Sequence, residues 1–206
     1  MATTGANRSN RWEVAAELNQ RVSGKPFPFW GYPVSKEGPF DTDMPPALRP
    51  FLSPRKLHPY PSDGLQEFHL IEKRAKGAQP AWKLCFPGSV GSQALTGIPV
   101  VAKLRADPKL AARSLVWPFE TGLNKLPPRC ERCWLIMHAE IYPPLIKAKP
   151  NPGEVRDRAQ VRELALYFAQ ADQKEELNEM FAGPPDLSDE QRRSIEAEEG
   201  WILGVR

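Results

Sequence analysis

The sequence predicts an α/β fold, with short strands and helices preceded by an extended, proline-rich segment. Two short apolar runs, Leu115-Val116-Trp117 and Leu135-Ile136-Met137-His138, each lead into a glutamate at a turn, Glu120 and Glu140. Neighbouring parallel strands ending at one rim of a sheet produce that pattern. Stretches with apolar residues at helical spacing lie on either side of these runs. The 23 prolines in 206 residues are about twice the usual share. They concentrate between Lys25 and Pro61 and around Pro127 and Pro150, where the backbone should be extended.

In chain order, Asn10 followed by Glu13 has capping-box spacing, and Val14, Leu18 and Val22 repeat at helical intervals, so a helix is expected from Arg11 to Val22. Between Lys25 and Ser62, Phe27, Phe29, Trp30, Tyr32, Phe40 and Phe51 accompany the prolines. A purely disordered linker would be poorer in rings, so this segment should be irregular but ordered. Leu65 to Lys76 fits a helix or a strand equally. Trp82-Lys83-Leu84-Cys85-Phe86 alternates as a short strand does. A helix from Gln93 to Arg105 should break or restart at Pro99, which removes an internal donor. Asp157 with Gln160 has the form of a capping box, and Val161, Leu164, Ala165 and Phe168 give the stripe of a helix docked on a sheet. Ser188 with Gln191 opens a last helix that includes Ile195, Glu198 and Glu199 and ends near Gly204. The expected organisation is one domain in three parts: an N-terminal helix over 1–24, an extended segment over 25–62 and an α/β core over 63–206.

The bulk composition narrows the function classes. A net charge of +3 permits nucleic-acid contact without arguing for it. The local clusters Lys73-Arg74-Ala75-Lys76 and Arg192-Arg193 read as solvated faces. No apolar run is long enough to span a membrane, and Met1 to Asn10 lack an apolar signal core. Three cysteines make no paired disulfide framework, which fits a reducing cytoplasm.

The constellation that carries chemistry is acidic. Glu120 and Glu140, if held close, repel each other unless protons or a cation compensate, and hard divalent cations take oxygen ligands. Glu198 and Glu199 sit beside Trp201-Ile202-Leu203, which should face the core and could bring them to the same rim. Other motifs are weaker. Gly88-Ser89-Val90-Gly91-Ser92 reads as a tight turn, with anion binding as the alternative; it lacks the lysine of a P-loop and the third glycine of a dinucleotide fingerprint. Cys130-Glu131-Arg132-Cys133 has metal-knuckle spacing, but zinc needs four ligands and there is no second pair. His58, His69 and His138 carry no local signature of a catalytic triad.

Several blocks occur together in order: Asn10-Arg11-Trp12-Glu13-Val14-Ala15-Ala16-Glu17-Leu18-Asn19, Arg74-Ala75-Lys76-Gly77-Ala78-Gln79-Pro80, Gly88-Ser89-Val90-Gly91-Ser92-Gln93-Ala94-Leu95-Thr96-Gly97-Ile98-Pro99, Trp117-Pro118-Phe119-Glu120-Thr121-Gly122, Ala139-Glu140-Ile141-Tyr142-Pro143 and Glu199-Gly200-Trp201-Ile202-Leu203-Gly204. Through them the chain resembles an uncharacterised bacterial family related to predicted RNase H-like nucleases. The resemblance implies a partial RNase H-like mixed sheet flanked by helices. It also implies a phosphodiesterase using Mg2+ to activate water and stabilise the leaving oxygen, with Glu120, Glu140, Glu198 and Glu199 as metal ligands. Arg11, Arg74, Lys76 and Lys83 become phosphate contacts. Members of that family begin with an Asp-bearing strand that this chain lacks, so the expected enzyme is incomplete or impaired. The alternative is a non-catalytic interaction subunit or truncated remnant. The expected partners are nucleic acid, a second copy or an N-terminal subunit, the last two covering an open sheet edge.

Overall fold

A computed structural model describes residues 3–4, 8–35, 38–39, 44–62, 64–126 and 135–206, with the backbone alone at 3–4, 8–9, 35 and 38–39. Cys130, Cys133 and Phe40 fall outside the described residues. These residues form a mixed α/β chain with six α-helices and a two-stranded parallel sheet, beside two-residue antiparallel pairs. No helix is long and apolar enough to cross a membrane among the described residues. The chain divides into two compact units, Met1–Leu104 and Arg105–Arg206.

In the first unit, β1 (Thr3–Thr4) pairs with β2 (Arg8–Ser9). Helix α1 (Arg11–Val22) has the expected bounds but a different inner face: Trp12, Ala15, Ala16 and Asn19 are buried, while Val22 is exposed. The small alanines permit close approach, so the buried stripe is rotated from the one expected through Val14, Leu18 and Val22. The Asn10–Glu13 capping box does not form; Asn10 has φ −84° and ψ 22° and its side chain makes no cap bond. Instead of extended N-cap geometry, the chain enters the helix already turned.

Beyond α1, β3 (Val34–Ser35) pairs with β4 (Gly38–Pro39), and a 3₁₀ turn at Arg49–Phe51 packs on α1. The fully buried Asn19 ties these loops together. Its Oδ1 accepts from Phe29 N at 2.8 Å, and its Nδ2 donates to Phe29 O at 2.9 Å and to Phe51 O at 2.7 Å. Rings pin the proline-rich segment as expected: Phe27 lies against Tyr60 and Phe29 against Trp82, with centroids 4.9 and 5.3 Å apart. Trp12, Tyr32, Met44, Leu52, Leu84 and Leu95 share one core. The 65–76 stretch contains the short helix α2 (Leu70–Arg74). The strand expected at Trp82–Phe86 is reduced to a single bridge between Trp30 and Lys83: Trp30 pairs with Trp82 O and Leu84 N, while Lys83 and Phe86 bond to the turns on either side, at Pro80, Gly91 and Ser89. Helix α3 (Gly91–Ala106) runs unbroken through Pro99. Proline's fixed φ is helical, and here the loss of one internal bond does not interrupt the helix.

In the second unit, a 3₁₀ turn at Ala111–Arg113 leads into β5 (Ser114–Val116), which pairs in parallel with β6 (Ile136–His138), Ser114 opposite Ile136 and Val116 opposite His138. After a 3₁₀ turn at Pro143–Leu145 come α4 (Arg156–Gln173), α5 (Leu177–Phe181) and α6 (Asp189–Ser194). The Asp157 capping box is absent because Val155 occupies the N-cap; Asp157 lies inside the first turn, at the positive end of the helix dipole. Half the stripe expected on α4 faces water: Leu164 is buried with Ala159 and Ala171, but Val161 is exposed.

The Ser188–Gln191 box forms as expected, in both directions. Helix α6 widens into a π turn at Ile195–Glu199 and stops at Gly200, not near Gly204. Gly200 has φ +73°, a conformation that suits glycine. The chain then extends, so that Ile202 bridges Glu140 in parallel and Leu203 N donates to Glu140 O at 2.9 Å. Trp117, Leu164, Ile195 and Trp201 form the buried centre.

Candidate functional site

The parallel pairing of β5 and β6 places Glu120 and Glu140 beyond the same, C-terminal ends of two adjacent strands. The turn after β5 closes with Glu120 N donating to Val116 O at 2.8 Å. This folds the Glu120 side chain back along the strand, where Oε2 accepts from Val116 N at 2.7 Å. The Arg105 guanidinium meets the same carboxylate in a fork, Nη2 to Oε1 at 2.7 Å and Nε to Oε2 at 2.9 Å. Arg105, first of all, holds the Glu120 carboxyl below its ordinary range, helped by the Val116 N–H and by His138 and opposed by desolvation. The reciprocal bond from Glu120 raises Arg105.

The other acidic candidates have separate settings. Glu140 is exposed and its main chain is committed to the 202–203 segment. Glu198 and Glu199 lie in the π turn, where Glu199 Oε1 accepts from Ser194 Oγ at 3.3 Å. Glu196, which the sequence did not single out, turns inward instead and accepts from Leu123 N at 2.7 Å. Phe119 lies close against Gly200, so the two motifs meet through an aromatic ring.

A magnesium pair needs several carboxylate oxygens free to face one point. Glu120 already has an arginine and an amide on its oxygens, which is the arrangement of a structural ion pair. Among the described residues, no three His, Cys, Asp or Glu side chains gather into a group that could hold a metal ion. In this arrangement the Glu120 oxygens are turned to Arg105 and the Val116 N–H, not to a cation.

The basic candidates belong to the first unit. Arg11 stacks on Trp12, 4.3 Å from the ring centroid. Arg74 closes α2, and Lys76 is exposed just beyond it. Lys83 Nζ donates to Gln79 Oε1 and Pro87 O, both at 3.4 Å. The Gly88–Ser92 loop spends its donors internally: Ser89 N on Phe86 O, Gly91 N on Lys83 O and Ser92 Oγ on Leu84 O. It is a tight turn. A cleft of about 210 Å³ lined by Tyr32, Val34, Met44, Arg49, Leu52 and Pro54 is smaller than most ligand pockets.

Two further polar pairs were not foreseen. Ser114 Oγ lies 3.1 Å from His138 Nε2, but Ser114 is 1% exposed and so out of reach of a substrate. Arg192, expected on a solvated face, hydrogen-bonds to Pro184 O at 3.0 Å and Leu123 O at 3.4 Å; its guanidinium satisfies loop carbonyls. These partners are far apart in sequence and leave no local pattern. No protein-family model, no curated protein and no solved structure matches the chain.

Proposed function

We propose that this chain is a non-catalytic interaction subunit built on a partial RNase H-like core, with nucleic acid as its partner class and a reducing cytoplasm as its setting. One observation carries the loss of catalysis: the Glu120 carboxylate is taken up by Arg105 and the Val116 N–H. A cation at that rim would have to displace a forked, charge-assisted ion pair. The RNase H-like ancestry rests on the family resemblance, and the β5–β6 pair supports it. The binding role rests on Arg11, Arg74, Lys76 and Lys83, the side chains that the resemblance marks as phosphate contacts. Lys83 supports it further, since its ammonium donates to neutral oxygens, Gln79 Oε1 and Pro87 O.

Purified protein incubated with Mg2+ or Mn2+ and single-stranded, duplex or hybrid nucleic acid tests this reading. Retarded migration that weakens with salt, without cleavage, is the expected result. Cleavage abolished by both Glu120→Ala and Glu140→Ala would overturn it, and so would no retardation of any substrate at low salt. A second reading, a working Mg2+-dependent phosphodiesterase, is favoured by one feature, the position of both glutamates past the same ends of parallel neighbours. It requires Arg105 to leave Glu120 and a further aspartate to join the metals.

A further inference from the structure

Arg105 holds both acceptors that cap the outward N–H groups of β5. In a parallel pair, alternate residues turn their N–H and C=O toward the neighbouring strand. Trp117 N donates to His138 O at 2.9 Å, so Ser114 and Val116 turn theirs away from β6. Among the described residues β5 has a sheet neighbour on one side only. Outward N–H and C=O groups on such a strand are a template for pairing with another chain.

Here three of those groups already have partners within the chain. Ser114 N donates to Ala111 O. Val116 N donates to Glu120 Oε2 at 2.7 Å, and Val116 O accepts from Glu120 N at 2.8 Å. Both capping acceptors are in turn held by one guanidinium: Arg105 Nη1 donates to Ala111 O at 3.0 Å, while Nε and Nη2 grip Glu120. Ala111 and Glu120 lie on opposite sides of β5 in sequence, so this one side chain ties both ends of the strand.

We infer that Arg105 is a positioning residue that keeps the edge of β5 shut against strand addition by a second copy of this chain. The guanidinium is planar and presents its donors in a fixed fork, which lets it serve two acceptors at a set angle. Lysine, a single point of charge, would hold one of them. With Arg105 gone, the Glu120 carboxylate loses its counter-ion and is free to swing to water, and the Ala111 carbonyl loses its second donor. The Val116 N–H then loses its acceptor in strand register, and the Ala111 turn that caps the Ser114 N–H is held less firmly.

Residue-resolved amide exchange on the full chain and on Arg105→Met tests this, with light scattering across a concentration series. The expected result is an acceleration of about tenfold at Val116, the scale of one lost hydrogen bond, and a smaller one at Ser114, whose bond to Ala111 O remains. Trp117, bonded to β6, should stay protected, and the variant's mass should rise with concentration above that of the parent. Glu120→Ala should accelerate Val116 and leave Ser114 protected, a pattern that general loosening would not give; it also carries the test if Arg105→Met does not fold. Unchanged exchange at Val116, equal acceleration at Trp117, or a variant mass equal to the parent's throughout would overturn the inference. The inference stands apart from the functional reading: cleavage of nucleic acid would defeat that reading and leave these exchange rates as expected.

Discussion

Replacing Asn19 by alanine should destabilise the first unit by about 3–5 kcal/mol. The side chain is fully buried and makes three hydrogen bonds, to Phe29 N, Phe29 O and Phe51 O. Alanine leaves one amide and two carbonyls buried without those partners, each costing roughly 1–3 kcal/mol. Partial hydration of the gap lowers the total. A unit of this size has about 5–15 kcal/mol to lose, so the variant should fold but melt early. Asn19→Asp refines the test. Its carboxylate can still accept from Phe29 N but points an oxygen at two carbonyls that had been receiving N–H bonds. Burial and that repulsion raise its folded-state pKa above the unfolded value. Its stability should therefore be greatest below the unfolded carboxyl pKa and fall as pH rises through the folded one. Urea unfolding followed by far-ultraviolet circular dichroism and by amide exchange in α1 reads both effects. An Asn19→Ala loss below about 1 kcal/mol, or an Asn19→Asp variant more stable at neutral than at acid pH, would refute the reasoning.

Other perturbations give separate checks. Glu154 is held down to about 2 from an ordinary 4.5, first by Arg162 and then by the Asn151 N–H. The stability it contributes should be intact above the ordinary carboxyl range and lost as pH falls toward 2; Glu154→Gln should flatten that part of an acid titration followed by circular dichroism. Glu120 is also lowered, so the exchange protection of Val116 should hold at neutral pH and fall only as acid protonates the carboxylate. Ser188→Ala removes the acceptor for Gln191 N and should cost about 1 kcal/mol in urea unfolding. At Gly91 an added Cβ would lie 2.5 Å from Ala81 O and 2.7 Å from Lys83 O. Gly91→Ala should thus cost about 2 kcal/mol or more in thermal unfolding, because the obstructing atoms are backbone.

The sequence carried the features whose cause is local. Period and flanking residues located α1 at Arg11–Val22, and Ser188 with Gln191 marked the start of α6. Two apolar runs ending in glutamates were enough to anticipate the parallel β5–β6 pair. The same capping spacing misled at Asn10 and Asp157, because a box also needs an extended N-cap backbone, which spacing does not encode. At Trp82–Phe86 alternation suggested a strand, but strands need strand partners along their length, and among the described residues the segment makes one bridge, to Trp30, and otherwise bonds to turns.

The candidate site was half anticipated: its two glutamates, but not the residues that decide what they do. Arg105 lies 15 positions before Glu120, and Leu123 lies 73 before Glu196. Neither separation matches a helix or strand period, so only the folded chain brings these groups together.

The most direct test of the central claim, that Glu120 belongs to a structural ion pair and not to a metal centre, is a Mn2+ titration followed by electron paramagnetic resonance. The parent protein and Glu120→Gln should show the same absence of a stoichiometric site at millimolar metal. A bound Mn2+ in the parent that disappears in both Glu120→Gln and Glu140→Gln would contradict it.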